Sequence, residues 1–346
     1  MRRRDKLIST NSPKKLKDSY NRVAKKLRIS VTDKCNMKCI YCMPNGNIKW
    51  FDTKEIINFK EIIRIVTILT QLGITKIRLT GGEPLLRPSL DNLISHLKKI
   101  ENIETISMTT NGFLLEENIN QLKSSGLNSL NVSLDTFREE RFKTLNGISN
   151  LNKVLRGIQK ARELGIKIKI NTVIIRNWNE DEIIKFVNFA RDMDLTVRFI
   201  EFMPLDGSGI WNYDLVMTKN EIIKIIETNF HNVFSLDKSN SYLSDPATIY
   251  NFDDRKGKIG FIPSISEPFC SNCDRIRLTS DGKLLTCLFE KEGYDLKKLI
   301  RDRKVTDQEI RKFILNCYKM KPEGIVELIR INRLRPSINF MHTIGG

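Results

Sequence analysis

The chain has 346 residues, 40% of them hydrophobic, and a formal net charge of +17. That length suits one large α/β domain with an appended piece, or two ordinary domains, and the apolar content supports a buried core. There is no apolar run of about 18 residues, and the start "MRRRDKLISTNSPKK" has no apolar stretch after its charges. A membrane span and a secretory signal are therefore not expected, and a cytoplasmic setting with reduced thiols is.

Residues 1–26 hold ten Lys or Arg against two Asp, and residues 1–17 are expected to form a basic N-terminal extension. Charge alone leaves three readings: a solvated basic surface, a nucleic-acid partner, or an anionic small substrate such as a nucleotide. From Leu27 the chain alternates short strands with helices. Strands are expected over 27–32, 76–79, 105–109, 129–134, 167–173 and 197–201. Between them, "FKEIIRIVTILTQLG" puts Ile62, Ile65, Val66, Leu69 and Leu72 on one helical face, and "NEDEIIKFVNFARDM" is a second helical pattern. Six strand-helix units in series imply a parallel sheet coiled into an incomplete (β/α)6 TIM-like barrel, about two units short of closure. This partial barrel is assigned to residues 18–235.

After about residue 235 the rhythm stops. "TIYNF" and "GKIGFI" read as short strands, and "RIRLTSDGKLLTCLF" as a hairpin turning at Asp281 and Gly282. Helices follow near 295–301 and 306–320. Residues 236–346 are too poor in apolar sequence for an independent core, and are expected to form a small α+β region that closes the open end of the barrel.

The strands carry a second pattern, because side chains alternate faces along a strand. Arg28, Ser30 and Thr32 share a face opposite Leu27, Ile29 and Val31. The polar set recurs as Lys76, Arg78 and Thr80, as Thr105, Ser107 and Thr109, as Ser129, Asn131, Ser133 and Asp135, and as Lys167, Lys169 and Asn171. The last strand, with Arg198, Ile200 and Phe202, is less regular. The apolar face is expected on the helices and the polar face in the lumen. A dry lumen lined this way would be costly, which points to a large polar, anionic ligand inside an open barrel. Strands wet on one face are the alternative.

Cys35, Cys39 and Cys42 form C-x3-C-x2-C directly after the first strand, where barrel sites sit. Three thiolates can hold three corners of an iron-sulfur cubane and leave one iron for a small molecule. A structural zinc would need a fourth ligand from elsewhere. Cys270, Cys273 and Cys287 form a second triad, C-x2-C-x13-C, around the hairpin. Arg275 and Arg277 share a strand face beside it, and their forked donors suit phosphate. Cys317, in a helical stretch, reads as a core thiol.

The segments "LRISVTDKCNMKCIYCMP", "RLTGGEPLLR", "TTNG", "VSLD", "FIEFMP" and "FCSNCDRIRLTSDGKLLTCL" run in order, and the chain ends in "MHTIGG". The C-x3-C-x-aromatic-C signature with Gly-Gly-Glu-Pro resembles the radical S-adenosylmethionine superfamily. The whole series, from about residue 18 to 346, is similar to the GTP 3',8-cyclase family of molybdenum cofactor (molybdopterin) biosynthesis. The resemblance implies two 4Fe-4S clusters, one on Cys35, Cys39 and Cys42 and one on Cys270, Cys273 and Cys287. It implies S-adenosylmethionine contacts from Tyr41, Gly82, Ser133 and Met203. It implies GTP contacts from Arg28, Lys76, Arg78, Thr109, Lys169, Arg198, Arg275 and Arg277. Arg28, Arg275, Arg277 and the terminal Gly345 and Gly346 take catalytic roles, the two glycines reaching into the active site. The implied reaction takes hydrogen from C3' of GTP with a 5'-deoxyadenosyl radical and joins that carbon to C8 of guanine.

Expected partners are GTP, an electron donor such as flavodoxin or ferredoxin, the next enzyme (cyclic pyranopterin monophosphate synthase) and a second copy in a homodimer, with no membrane and no nucleic acid. Two other readings stay open: another radical enzyme with an auxiliary cluster, of peptide-maturase type, and a cluster- or zinc-containing nucleic-acid-binding protein.

Overall fold

A computed structural model describes residues 15–43, 48, 50–205, 209–230, 234–237, 245–290, 292–330 and 341–345. Six strands alternate with helices from the start of the barrel: β1 (Lys26–Ser30), β2 (Lys76–Thr80), β3 (Thr105–Thr110), β4 (Ser129–Ser133), β5 (Lys167–Ile174) and β6 (Thr196–Glu201). The helices are α1 (Phe59–Thr70), α2 (Leu90–Lys98), α3 (Leu115–Ser124), α4 (Glu139–Asn146), α5 (Leu151–Glu163), α6 (Ile183–Asp192) and α7 (Lys219–Asn229). Later elements are β7 (Phe234–Leu236), β8 (Thr248–Phe252), β9 (Lys258–Ile262), β10 (Arg275–Leu278), β11 (Lys283–Leu285), β12 (Tyr294–Asp295), α8 (Leu296–Arg301), α9 (Asp307–Lys319), α10 (Ile325–Arg330) and α11 (Met341–Ile344).

The strands form one sheet in the order β12-β11-β10-β1-β2-β3-β4-β5-β6-β9-β8-β7. β1 to β6 are parallel, as the strand-helix rhythm requires. Two strands from the C-terminal region add to this wall in parallel, β10 beside β1 and β9 beside β6. The C-terminal region therefore does more than close one end. It extends the barrel wall at both edges, and α8 and α9 pack on α1 in the outer layer. No local pattern announces this, because each edge pairing joins segments far apart in sequence.

The sheet's outward face is apolar. Leu27, Ile29, Ile77, Leu79, Ile106, Met108, Leu130, Val132, Ile170, Val197 and Phe199 are all buried against the helices. At about 1.5–3 kcal/mol for each such side chain, this belt is the main source of stability. Helix starts are fixed by local chemistry. Asn58 with Glu61 caps α1, and Thr306 with Glu309 caps α9, each pair satisfying orphan N–H groups reciprocally.

The fold begins earlier than expected. Residues 15–17 were assigned to a basic extension, yet Leu16 is fully buried, its N–H bonds Leu72 O, and Lys17 pairs with Val23. Leu16 is apolar among lysines, and burying it draws the chain back onto the sheet. Residues 1–14 lie outside the described residues. No helix among the described residues is long and apolar enough to cross a membrane.

Candidate active site

The polar strand faces converge on one cavity of about 270 Å³, far larger than the roughly 30 Å³ share of one water. Arg28, Arg78, Thr80, Thr109, Ser133, Asn171, Arg198, Arg275 and Arg277 all line it. Register sharpens the picture. Arg277, Arg28 and Arg78 stand abreast on β10, β1 and β2. Neighbouring strands are about 4.8 Å apart, and like charges directly opposite each other are destabilising.

Arg78 Nε donates to Ser107 Oγ at 3.2 Å, and Arg198 donates to Asn171 Oδ1 at 2.9 and 2.6 Å. Arg275 lies over the Phe269 ring, 4.6 Å from its centroid. Among the described residues none of the five arginines forms a salt bridge. Burial, reinforced by the neighbouring guanidiniums, holds Arg28 well below the usual range. Burial and like charge likewise hold Arg78 at about 10, Arg198 at about 9 and Arg277 at about 10. A cationic wall of this kind is a strong anion site.

Cys35, Cys39 and Cys42 open on this cavity from the loop after β1. The loop is tied to the end of α4 by Lys38 N–H to Asn146 O (2.8 Å) and Ile40 N–H to Leu145 O (3.0 Å). Cys39 Sγ bonds Asn146 Oδ1 at 3.2 Å, and Asn111 Nδ2 holds Asn36 Oδ1 at 2.8 Å. The backbone N–H of His342 in α11 donates to Cys42. Burial pushes the Cys35 thiol up to about 11, and burial with the charge of Cys35 pushes Cys42 up to about 12. A cationic centre bound among the three thiols would favour their ionised form. Among the described residues no three His, Cys, Asp or Glu side chains converge tightly enough for a single ion. Three thiols on one loop facing one cavity fit a larger inorganic group.

Gly82 was expected to let backbone approach a ligand; it also serves the cysteine loop. A Cβ there would lie 2.2 Å from Lys34 O and 2.5 Å from Asp33 O. Gly82 N–H bonds Thr32 O at 2.8 Å and Glu83 N–H bonds Lys34 O at 2.8 Å, so the motif braces the loop from beneath. Tyr41 OH donates to Asp135, which also accepts from Val173 N–H at 2.8 Å. Tyr41, Gly82, Ser133 and Met203 all line the cavity.

The second triad lies at the opposite end. Cys270 and Cys273 precede β10 and Cys287 follows β11, which runs antiparallel to β10. β10 is parallel to β1, so the two triads flank opposite ends of the strands, and β1 itself, five residues at about 3.3 Å each, is roughly 16 Å long. Phe269 and Leu288, next to these cysteines in sequence, line the cavity; the cysteines themselves do not. Burial pushes the Cys273 thiol up, but Arg275 and Lys321 outweigh it and hold it at about 6.

Gly345 is near the arginines. Arg277 NH1 donates to Gly345 O at 2.5 Å, and Met341 lines the cavity. Gly346 lies outside the described residues. Lys76 and Lys169 are not brought to the cavity. Lys76 Nζ is 4.0 Å from Glu104 at the outer end of β2. Lys169 keeps solvent-exposed surface, but desolvation and the charges of Arg198 and Arg78 hold its ammonium at about 8, which places it beside the arginine wall without lining the cavity. Cys317 is buried in the core, as expected.

Sequence reasoning missed Asp18, Arg22 and Lys321. Asp18 and Arg22 form a buried pair at 2.5 Å, and Arg22 also donates to Cys270 O, Pro322 O and Glu323 O. Each sits among other charged residues in a polar segment, and no local signal marks it as buried.

Two family models match the chain: Radical SAM superfamily over residues 29–190 and Molybdenum Cofactor Synthesis C over 195–326. A GTP 3',8-cyclase of Thermodesulfovibrio yellowstonii is 40% identical over 333 residues, which is 96% of this chain and 100% of its own length. The chain belongs to the GTP 3',8-cyclase family. A GTP 3',8-cyclase of Clostridium perfringens is also 40% identical, over 331 residues, with 96% and 100% coverage. The solved structure of Streptococcus suis SuiB bound to precursor peptide SuiA aligns with a TM-score of 0.61 at 18% identity, covering 90% of this chain and 74% of that one. That likeness shows the shared fold. Membership of the GTP 3',8-cyclase family, within the radical SAM superfamily, implies a 4Fe-4S cluster and S-adenosylmethionine, and the Cys35, Cys39 and Cys42 loop is the donor set that fits.

Proposed function

We propose that this chain converts GTP to (8S)-3',8-cyclo-7,8-dihydroguanosine 5'-triphosphate in molybdenum cofactor biosynthesis. The observation that carries the substrate is the set of five arginines facing one cavity, three of them abreast, with none in a salt bridge among the described residues and Asp245 acting on Arg78 and Arg198 only at longer range. A triphosphate supplies the missing charge.

In this reading residues 18–235 carry the S-adenosylmethionine side and residues 236–346 the guanine side. Cys35, Cys39 and Cys42 hold the first cluster, and Tyr41, Gly82, Ser133 and Met203 seat S-adenosylmethionine beside it. Together these groups supply one-electron chemistry able to remove a hydrogen atom from an unactivated C–H bond. Cys270, Cys273 and Cys287 hold a second 4Fe-4S cluster that faces the guanine end.

The chain's own residues then position and shield. Arg28, Arg78, Arg198, Arg275 and Arg277 bind the triphosphate, assisted by Thr109 and, at the rim, Lys76 and Lys169. Binding across the wall between the two triads holds the ribose toward one end and the base toward the other, which aligns the reacting carbons. The cavity wall keeps bulk water away from a reactive substrate carbon. Gly345 brings the tail to the site, with Arg277 as the anchor, and Gly346 keeps the catalytic role that the family resemblance implies. Flavodoxin or ferredoxin as electron donor, delivery of product to cyclic pyranopterin monophosphate synthase, and a homodimer complete the proposal.

GTP binding to the reconstituted protein tests the assignment. Arg78→Ala or Arg198→Ala should each weaken GTP about 10- to 100-fold, the equivalent of one charge-assisted contact. Guanosine binding should hardly change. Unaltered GTP affinity in both variants would remove the lumen from the substrate site.

A further inference from the structure

A buried cation stands behind the second thiol triad. Lys321, just beyond α9, is 3% exposed. Its Nζ donates to the backbone carbonyl of Arg275 at 2.8 Å and to that of Thr286. Arg275 is two residues past Cys273, and Thr286 immediately precedes Cys287. The buried ring of Tyr318 lies on another side, its centroid 5.4 Å from Nζ. Among the described residues no carboxylate comes within ion-pair distance of Lys321. The charge of Lys321 also reaches Glu290, whose carboxylate is engaged by Thr286 N–H at 2.6 Å.

An ammonium shut away from water is costly when its hydrogen bonds go only to neutral carbonyls and no carboxylate pairs with it directly. Its burial becomes favourable if a negative group occupies the same region. Cys273, Cys287 and Glu290 are the groups on which its charge acts, and the first two belong to the triad. A metal cluster held by three thiolates carries net negative charge, and one more on reduction, so a fixed cation beside it favours the reduced state.

We propose that Lys321 is the built-in counter-charge of the second cluster: it staples the Cys273 and Cys287 segments together and raises the potential at which that cluster accepts an electron. This rests on reading Cys270, Cys273 and Cys287 as cluster ligands. Lys321 is a positioning residue, since it acts through the cluster and not on GTP.

The test uses the full chain carrying Cys35→Ala, Cys39→Ala and Cys42→Ala, in which only the second cluster can form. After anaerobic reconstitution with iron and sulfide, the midpoint potential is read by EPR-monitored titration. Lys321→Met should shift the midpoint downward with iron content kept, and Lys321→Arg should restore it toward the parent. An unchanged midpoint in Lys321→Met with its iron retained would overturn the proposal. If Lys321→Met loses iron, Lys321→Arg decides: iron retained supports the charge, and iron lost in both assigns a packing role and overturns the proposal. A parent that binds no iron would instead overturn the second-cluster reading, and this inference with it.

Discussion

Gly345 is held in a conformation and a space that other residues do not tolerate. Its φ is +75°, and a Cβ would lie 2.3 Å from Thr80 Cγ2, a short branched side chain with no room to yield. The carbonyl of the same residue receives Arg277. Gly345→Ala should therefore displace the tail from Arg277 and lower cyclisation by about 100-fold, while iron content stays at the parent level. Near-parental turnover would separate the tail from catalysis. The glycines at the chain's end attract attention only through family resemblance; by themselves they read as a frayed terminus. The arginines were legible differently. Strand alternation alone puts Arg28, Arg78 and Arg198 on the inner face, where they are found. Lys76 and Lys169 share that alternation without lining the cavity: Lys76 is the first residue of β2, and Lys169, the third of β5, stays exposed beside the arginines. Alternation carries no information about depth along the barrel axis.

Whole elements show where local pattern stops. The six parallel strands follow from apolar spacing, and their observed limits differ from the expected ones by at most two residues. The pairings of β10 with β1 and β9 with β6 do not follow, since strand partners separated by some 60 to 250 residues leave no periodic trace. The N-terminal segment is of the same kind. It reads as a basic arm, yet Asp18 and Arg22 join it to the loop of Cys270 and to residues 322–323. Asp18→Ala would leave Arg22 buried without its carboxylate. A loss of about 3–5 kcal/mol in unfolding free energy is expected, measured by urea denaturation of the apoprotein. A loss below about 1 kcal/mol, the worth of an exposed pair, would contradict the burial.

The turn after β2 carries a pH signature. Glu83 accepts from Leu85 N–H (3.0 Å), Asn111 N–H (2.7 Å) and Thr110 Oγ1 (2.7 Å). Burial still pushes its carboxyl up to about 7. The folded chain thus holds this proton more tightly than the unfolded chain does. The resulting stability is complete below about pH 4.5 and is lost as pH rises through 7. Relative to Glu83→Gln, the parent apoprotein should lose on the order of 3 kcal/mol between pH 4.5 and pH 7.5. Parallel stability curves for the two proteins would contradict the shift.

For the molecule as a whole, the net charge of +17 is ambiguous until its location is known. Five arginines of that excess face one cavity between two thiol triads, which turns a bulk property into a binding site. The two triads at opposite strand ends give the lumen a direction; in the proposed function one end generates the radical and the other recognises the base, with the cationic wall between. Neither triad's place relative to the other could be read from the cysteine spacings, because it depends on β10 lying parallel to β1. The most direct test incubates the reconstituted protein anaerobically with S-adenosylmethionine and dithionite, with and without GTP, and measures 5'-deoxyadenosine and nucleotide products. The expected result is 5'-deoxyadenosine formation that rises with GTP and is matched by 3',8-cyclo-7,8-dihydro-GTP. Formation of 5'-deoxyadenosine that is indifferent to GTP, with GTP recovered unchanged, would contradict it.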